Sequence, residues 1–178
     1  LSRRSDSVYV ADVIAAWAER YLDAPIAADA EIQTDAGAVV VRETREGRFQ
    51  QAITVGRHRL TADEPVSVGG LDSGPAPYDF LLAGLGACTA MTMRLYAEHK
   101  GLALDRVSVT LQHGKIHAAD CATCETREGK IDRIERTIRI EGHLSDAERA
   151  RLMEIADKCP VHRTLVGEID IVTKAAVS

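Results

Sequence analysis

Aromatic side chains are scarce in this chain, at 4% of residues, so any core must be built mainly from aliphatic groups. Basic clusters interleaved with aromatics are missing, and the net charge is −5. Nucleic acid is therefore not expected as a partner. The longest nearly uncharged apolar run, Phe80 to Met93, is too short to span a bilayer and is flanked by Asp79 and Arg94, so no membrane partner is expected. Near the N-terminus there is no apolar stretch between a basic region and a small-residue cleavage site, which gives a cytoplasmic reading. The chain opens on Leu1 and enters an amphipathic segment at once, as a fragment of a longer polypeptide would. Internal repeats and low-complexity tracts are also lacking.

What is present suits one ordinary domain: 178 residues, 46% of them hydrophobic. Residues 8–22 carry Val10, Val13, Ile14, Trp17, Ala18 and Tyr21 at helical spacing, and Pro25 follows. A boundary is expected near residue 25, separating a helical segment (1–25) from the main domain (26–178). The face bearing Trp17 is expected to pack into a core. Strands are predicted at Val39–Val41, Phe49–Val55 and His58–Ala62, with a turn at Arg45–Arg48 between the first two. A Gly/Pro-rich loop leads to Pro77, well placed for the first turn of a helix over Tyr78–Lys100 that is apolar almost all round and stops at Gly101. Gly84 and Gly86 within it point to close approach of another helix.

Val107, Val109 and Leu111 alternate as in a half-buried strand; His113–Glu128 reads as a polar loop. Ile131–Glu141 is a second strand, with Ile134, Ile138 and Ile140 on one face. Ser145 and Glu148 form a capping box opening a helix to about Lys158. Cys159-Pro160 starts a short helix ending near Gly167, and Ile169 and Ile171 mark a last strand. Strands, buried helix, strands, helix, strand is an α+β order, without the regular alternation of a doubly wound sheet.

Four cysteines in a chain with no export signal read as thiols or metal ligands rather than a disulfide scaffold. Cys88 sits mid-helix, either as a small core residue or, with a cation beside it, as a nucleophile. Cys159 precedes a proline at a helix start, where free N–H groups depress a thiol's pKa, or it simply caps that helix. Cys121 and Cys124, with His113 and His117, supply four potential zinc ligands in a spacing that matches no standard module. The pair is otherwise a redox couple or two surface thiols, and no metal is assigned.

The segment Gly74-Pro-Ala-Pro-Tyr-Asp-Phe-Leu-Leu-Ala-Gly-Leu-Gly-Ala-Cys88-Thr-Ala, with Cys159-Pro-Val-His further on, resembles the OsmC/Ohr family of thiol-dependent hydroperoxide reductases over roughly residues 30–175. The resemblance implies an intertwined homodimer with two long central helices wrapped by β-sheets and active sites at the interface. It implies a peroxidase for organic hydroperoxides that needs no cofactor. Cys88 would be the peroxidatic thiol and Cys159 the resolving thiol. Arg45, with Arg48 as runner-up, would be the active-site cation, and Asp79 the acid that orients it. A dithiol reductant is implied, a lipoylated protein among the candidates. Residues 5–17 resemble the closing helix of an α/β-hydrolase domain, which implies a hydrolase–OsmC fusion. Two rival readings remain. One is a cysteine-based acyl hydrolase or transferase using His162 or His99. The other is a non-catalytic dimerisation or ligand-binding module in which Cys88 is inert core.

Overall fold

The computed structural model describes residues 4–21, 37–122 and 124–176. The expected boundary near residue 25 lies outside them. Two compact units are present: Leu1–Val41 with Ile53–Arg59, and Arg42–Ala52 with Leu60–Ser178. The first contains helix α1 (Arg4–Tyr21). Its Val13, Ile14 and Trp17 share a face as the spacing predicts, but Trp17 is 56% exposed and its neighbours are exposed too. Among the described residues the expected core packing of that face is therefore not found: helical periodicity reports a common face, not what covers it.

Strands β1 (Val39–Glu43), β2 (Gln51–Val55) and β3 (His58–Ala62) form one sheet with β2 in the middle. In the turn after β1, Arg45 adopts φ 66° and Gly47 φ 74°. The turn is closed by Thr44, whose amide donates to Gln50 O at 3.2 Å and whose hydroxyl accepts from Glu46 N at 3.1 Å. The loop after β3 is organised by Asp63, only 2% exposed. Its carboxylate accepts from the amides of Glu64, Leu71 and Ser73 and from the Ser73 hydroxyl. Burial pushes that carboxyl up, but the Ser73 hydroxyl and the three amides outweigh it and hold it below its ordinary value.

Helix α2 (Pro77–Lys100) follows. Pro77 occupies its first turn, Asp79 Oδ2 accepts from the Ala76 amide at 2.9 Å, and Gly101 closes it at φ 64°. At 24 residues it is longer than its uncharged run, and by length and composition it could cross a membrane. One face of it, with Leu85, Thr89, Met93 and Ala97 buried, packs on β4 (Leu104–His117), α3 (Asp146–Ala156) and α4 (Pro160–Leu165), whereas Leu81, Met91 and Leu95 are exposed, so the expected all-round burial is not found among the described residues of one chain. Gly86 faces strand β4, where an added Cβ would lie 2.8 Å from Leu111, and Gly84 faces open space. Among the described residues neither meets another helix.

Strand β4 pairs antiparallel with β5 (Lys130–Gly142), so that Val107 faces Ile140 and Val109 faces Ile138. It continues through His117, which corrects the reading of a loop from His113. Residues 130–134 supply backbone partners for 113–117, and pairing overrides the polar side chains. The last predicted strand is absent: Ile169 (51% exposed) and Ile171 (83%) lie in irregular chain. Met93, Ala97, Leu104, Leu152 and Ala156 form the core, ringed by Tyr96, Val107, Ile138 and Ile140. The Ser145–Glu148 capping box is formed, and Arg149 donates to Ile140 O and Gly142 O, tying α3 to the end of β5. The architecture is α+β.

Gly70 is fully enclosed by the Asp63 loop, and a Cβ there would sit 1.8 Å from the carbonyl oxygen of Glu64. Gly70→Ala is expected to cost about 1–3 kcal/mol of stability, read as a lower urea midpoint.

Candidate active site

Cys159 is the N-cap of α4. Pro160 presets the first helical φ, Cys159 stays extended (φ −62°, ψ 137°), and its Sγ accepts from His162 N at 3.3 Å. Sulfur thus does the work usually left to a Ser or Asp oxygen. The residue is fully buried against the middle of α2. There the Thr89 Oγ1 lies 3.7 Å from Cys159 Sγ, and the adjacent Cys88 of α2 is half-buried. The fold therefore brings Cys159 onto the stretch of α2 that carries the other free cysteine, Cys88. Burial pushes the Cys159 thiol up. The His162 amide, the Thr89 hydroxyl, the Cys88 thiol and the charge of Arg136 together outweigh it and bring it below its ordinary value.

The cation at this site is Arg136 of β5. It donates to Thr89 Oγ1 at 3.0 Å and Ala156 O at 3.3 Å through Nη1, and to Asp157 Oδ1 at 2.6 Å through Nη2. Sequence reasoning missed Arg136, Thr89 and Asp157. One signal was available. Ile134, Arg136, Ile138 and Ile140 occupy alternate, partly buried positions of β5, so Arg136 interrupts an otherwise apolar face. An arginine on that face calls for a buried partner.

Arg45 is exposed in the turn after β1, and Arg48 lies over the Phe49 ring at 4.8 Å. Asp79 caps the start of α2. Within the described residues of one chain, neither arginine pairs with Asp79 or reaches Cys88. A cavity of about 570 Å³ adjoins the site, with Leu85, Arg136 and His162 on its walls. Across it His113 stacks on Tyr78 (centroids 4.1 Å apart) and its Nε2 lies 2.9 Å from Asp132 Oδ1.

A family profile described as OsmC-like protein matches residues 70–174, more than half of the sequence, and spans both Cys88 and Cys159. The chain belongs to the OsmC-like family. Several solved structures share this OsmC-like fold. An OsmC-like protein from Mycoplasma pneumoniae is 20% identical with a TM-score of 0.55, covering 76% of this chain and 90% of its own. An organic hydroperoxide resistance protein OsmC from Legionella pneumophila is 25% identical (TM-score 0.53, covering 75% and 90%). The organic hydroperoxide resistance protein OhrB of Bacillus subtilis is 18% identical (TM-score 0.51, covering 75% and 92%). No curated protein matches the sequence significantly.

In this OsmC-like chain Cys121 and Cys124 are joined in a disulfide, which corrects the reading of two thiols. The zinc set is not assembled, because these sulfurs bond to each other and His113 is engaged by Asp132 and Tyr78. Among the described residues no three His, Cys, Asp or Glu side chains are placed to hold a metal. His162 meets Cys159 through its backbone amide, and His99 is exposed in the last turn of α2. A cysteine–imidazole pair of the kind acyl transfer needs is thus not formed among the described residues. Thiol titration of the unfolded protein is expected to return two thiols before reduction, from Cys88 and Cys159, and four after it.

Proposed function

We propose that this protein is a homodimeric thiol peroxidase that reduces organic hydroperoxides. The observation that carries the reading is that the buried Cys159 packs on Thr89, the residue beside Cys88 on α2. Family membership supports it, as do solved relatives named organic hydroperoxide resistance proteins.

The half-buried Cys88 is the sulfur that a peroxide can reach, whereas Cys159 is enclosed. Cys88 attacks one oxygen of the O–O bond. That bond breaks, the alcohol leaves with a proton, and Cys88 becomes a sulfenic acid. Cys159 then attacks the Cys88 sulfur; an S–S bond forms, the S–O bond breaks and water departs. An external dithiol, for which a lipoylated protein is a candidate, reopens the bridge by exchange and is itself oxidised to a disulfide.

Arg45 and Asp79 are assigned to the site through the homodimer. There the exposed Arg45 turn of a second subunit would stabilise the departing alkoxide, and Asp79 would orient it. The aliphatic residues along α2 suit an organic peroxide chain.

The test is peroxide consumption with a dithiol reductant. Cys88→Ser is expected to abolish turnover. Cys159→Ser should form the sulfenic acid and then stall, leaving it open to capture by a dione probe. Arg45→Met is expected to slow the first step by about 10²–10³-fold. Full activity in Cys88→Ser would refute the assignment.

A further inference from the structure

The proposed reaction at Cys88 and Cys159 makes no use of Cys121 and Cys124, which are bonded to each other. A disulfide stabilises a fold chiefly by restricting the unfolded chain, and the restriction grows with the length of chain enclosed. This one joins cysteines three positions apart, so it encloses very little chain. Both lie in the single connection between β4 and β5, so the bridge ties no second element to the fold. The connection is closed without it. His117 pairs with Lys130 at the end of the ladder, the Ala118 amide donates to Gly129 O at 2.9 Å, and Ala118 is fully buried. The Cys121 amide donates to Ala118 O at 3.1 Å, which holds Cys121 to that anchor through its backbone. Access adds a second observation. Cys121 and Cys124 are partly exposed, and Asp120, Ala122 and Glu125 beside them are exposed, whereas Cys159 is fully buried. Exposed disulfides are the ones open to attack by a thiol, while structural ones resist it. The bridge therefore adds little to stability and lies within reach of a thiol from solution.

We propose that Cys121–Cys124 is a second thiol–disulfide exchange centre, reduced by a small external dithiol independently of Cys88 and Cys159. A thiolate of the dithiol attacks one of the two sulfurs. The Cys121–Cys124 bond breaks, a mixed disulfide forms, and the displaced cysteine takes a proton from solvent. The second thiol of the dithiol, deprotonated, then attacks its own bridged sulfur; the mixed bond breaks, and the other cysteine leaves and is protonated. The pair gains two electrons and two protons, and the dithiol becomes a cyclic disulfide. In the reverse direction the reduced pair gives its electrons to a disulfide in solution. Its second cysteine, only three positions away, resolves the mixed disulfide within the chain. This centre does not depend on the peroxidase reading.

The test needs no peroxide, so its failure and that of the peroxidase reading are distinguishable. Native protein and protein unfolded in urea are treated with the same concentration of dithiothreitol and quenched by alkylation, and the thiols are located by peptide mass. Cys121 and Cys124 are expected to be reduced in the native protein at a rate within about tenfold of that in the unfolded chain, because a solvent-facing connection needs no costly opening. Circular dichroism and the urea midpoint should not change on reduction, and excess oxidised glutathione should restore the bridge. The same behaviour is expected of Cys88→Ser/Cys159→Ser, in which the first pair can pass no electrons. Should that variant fail to fold, Cys88→Ser alone also removes the first pair and decides the matter. Reduction slowed by folding more than about tenfold, or a lower urea midpoint once the pair is reduced, would make the bridge a structural clip and overturn the inference. So would a bridge that does not return, or exchange that is lost with the first pair.

Discussion

The contact between the capping sulfur of α4 and the middle of α2 is the constraint on which the site depends. Cys159 meets Thr89, the neighbour of Cys88, because Pro160 starts a new helix at the residue after it, turning the chain just where α3 has ended. The same turn aims the His162 amide back at the sulfur. Local backbone geometry and the placement of the Cys159 sulfur are thus one feature. The neighbouring core, with Leu152 and Ala156 packed on Met93 and Ala97, fixes where along α2 this turn lands.

Burial alone would make that sulfur a poor thiolate, because taking a charge out of water disfavours it. The surroundings reverse this with directed dipoles and a single guanidinium one hydroxyl away. The guanidinium is itself held by a carboxylate that remains largely in water, so the pair avoids the full cost of a buried ion pair. Three elements distant in sequence (α2, β5 and the α3–α4 turn) each contribute one member of this arrangement. Their mutual packing supplies an electrostatic environment that none of them has alone.

The second cysteine pair belongs to different physics. Cys121 and Cys124 are bonded to each other in the connection beyond the paired strands β4 and β5, separate from the free thiols. The ribbon itself explains why polar residues around His113 adopt strand structure: each is held by a backbone partner across the pair, and alternate side chains face water. His113 turns inward at this point to stack on Tyr78, giving the cavity beside the site a wall that a solvent loop could not have formed.

Much of this protein was readable from spacing and local chemistry. The long helix that Pro77 opens and Gly101 closes, the capping box at Ser145 and the proline-led helix after Cys159 all follow from short-range rules, and all are formed, although the long helix is buried along one face only. The family motif marked Cys88 and Cys159 together. Contacts made at long range were not readable. Thr89 and Cys159 lie seventy positions apart, and no local rule says that Arg136 completes their hydrogen bonds. The sequence determined the elements and the residue types that can carry thiol chemistry, because those depend on periodicity, caps and side-chain identity. Tertiary structure alone decided which cation serves which sulfur, because charge acts through space and the packing of α2, β5 and α4 sets those distances.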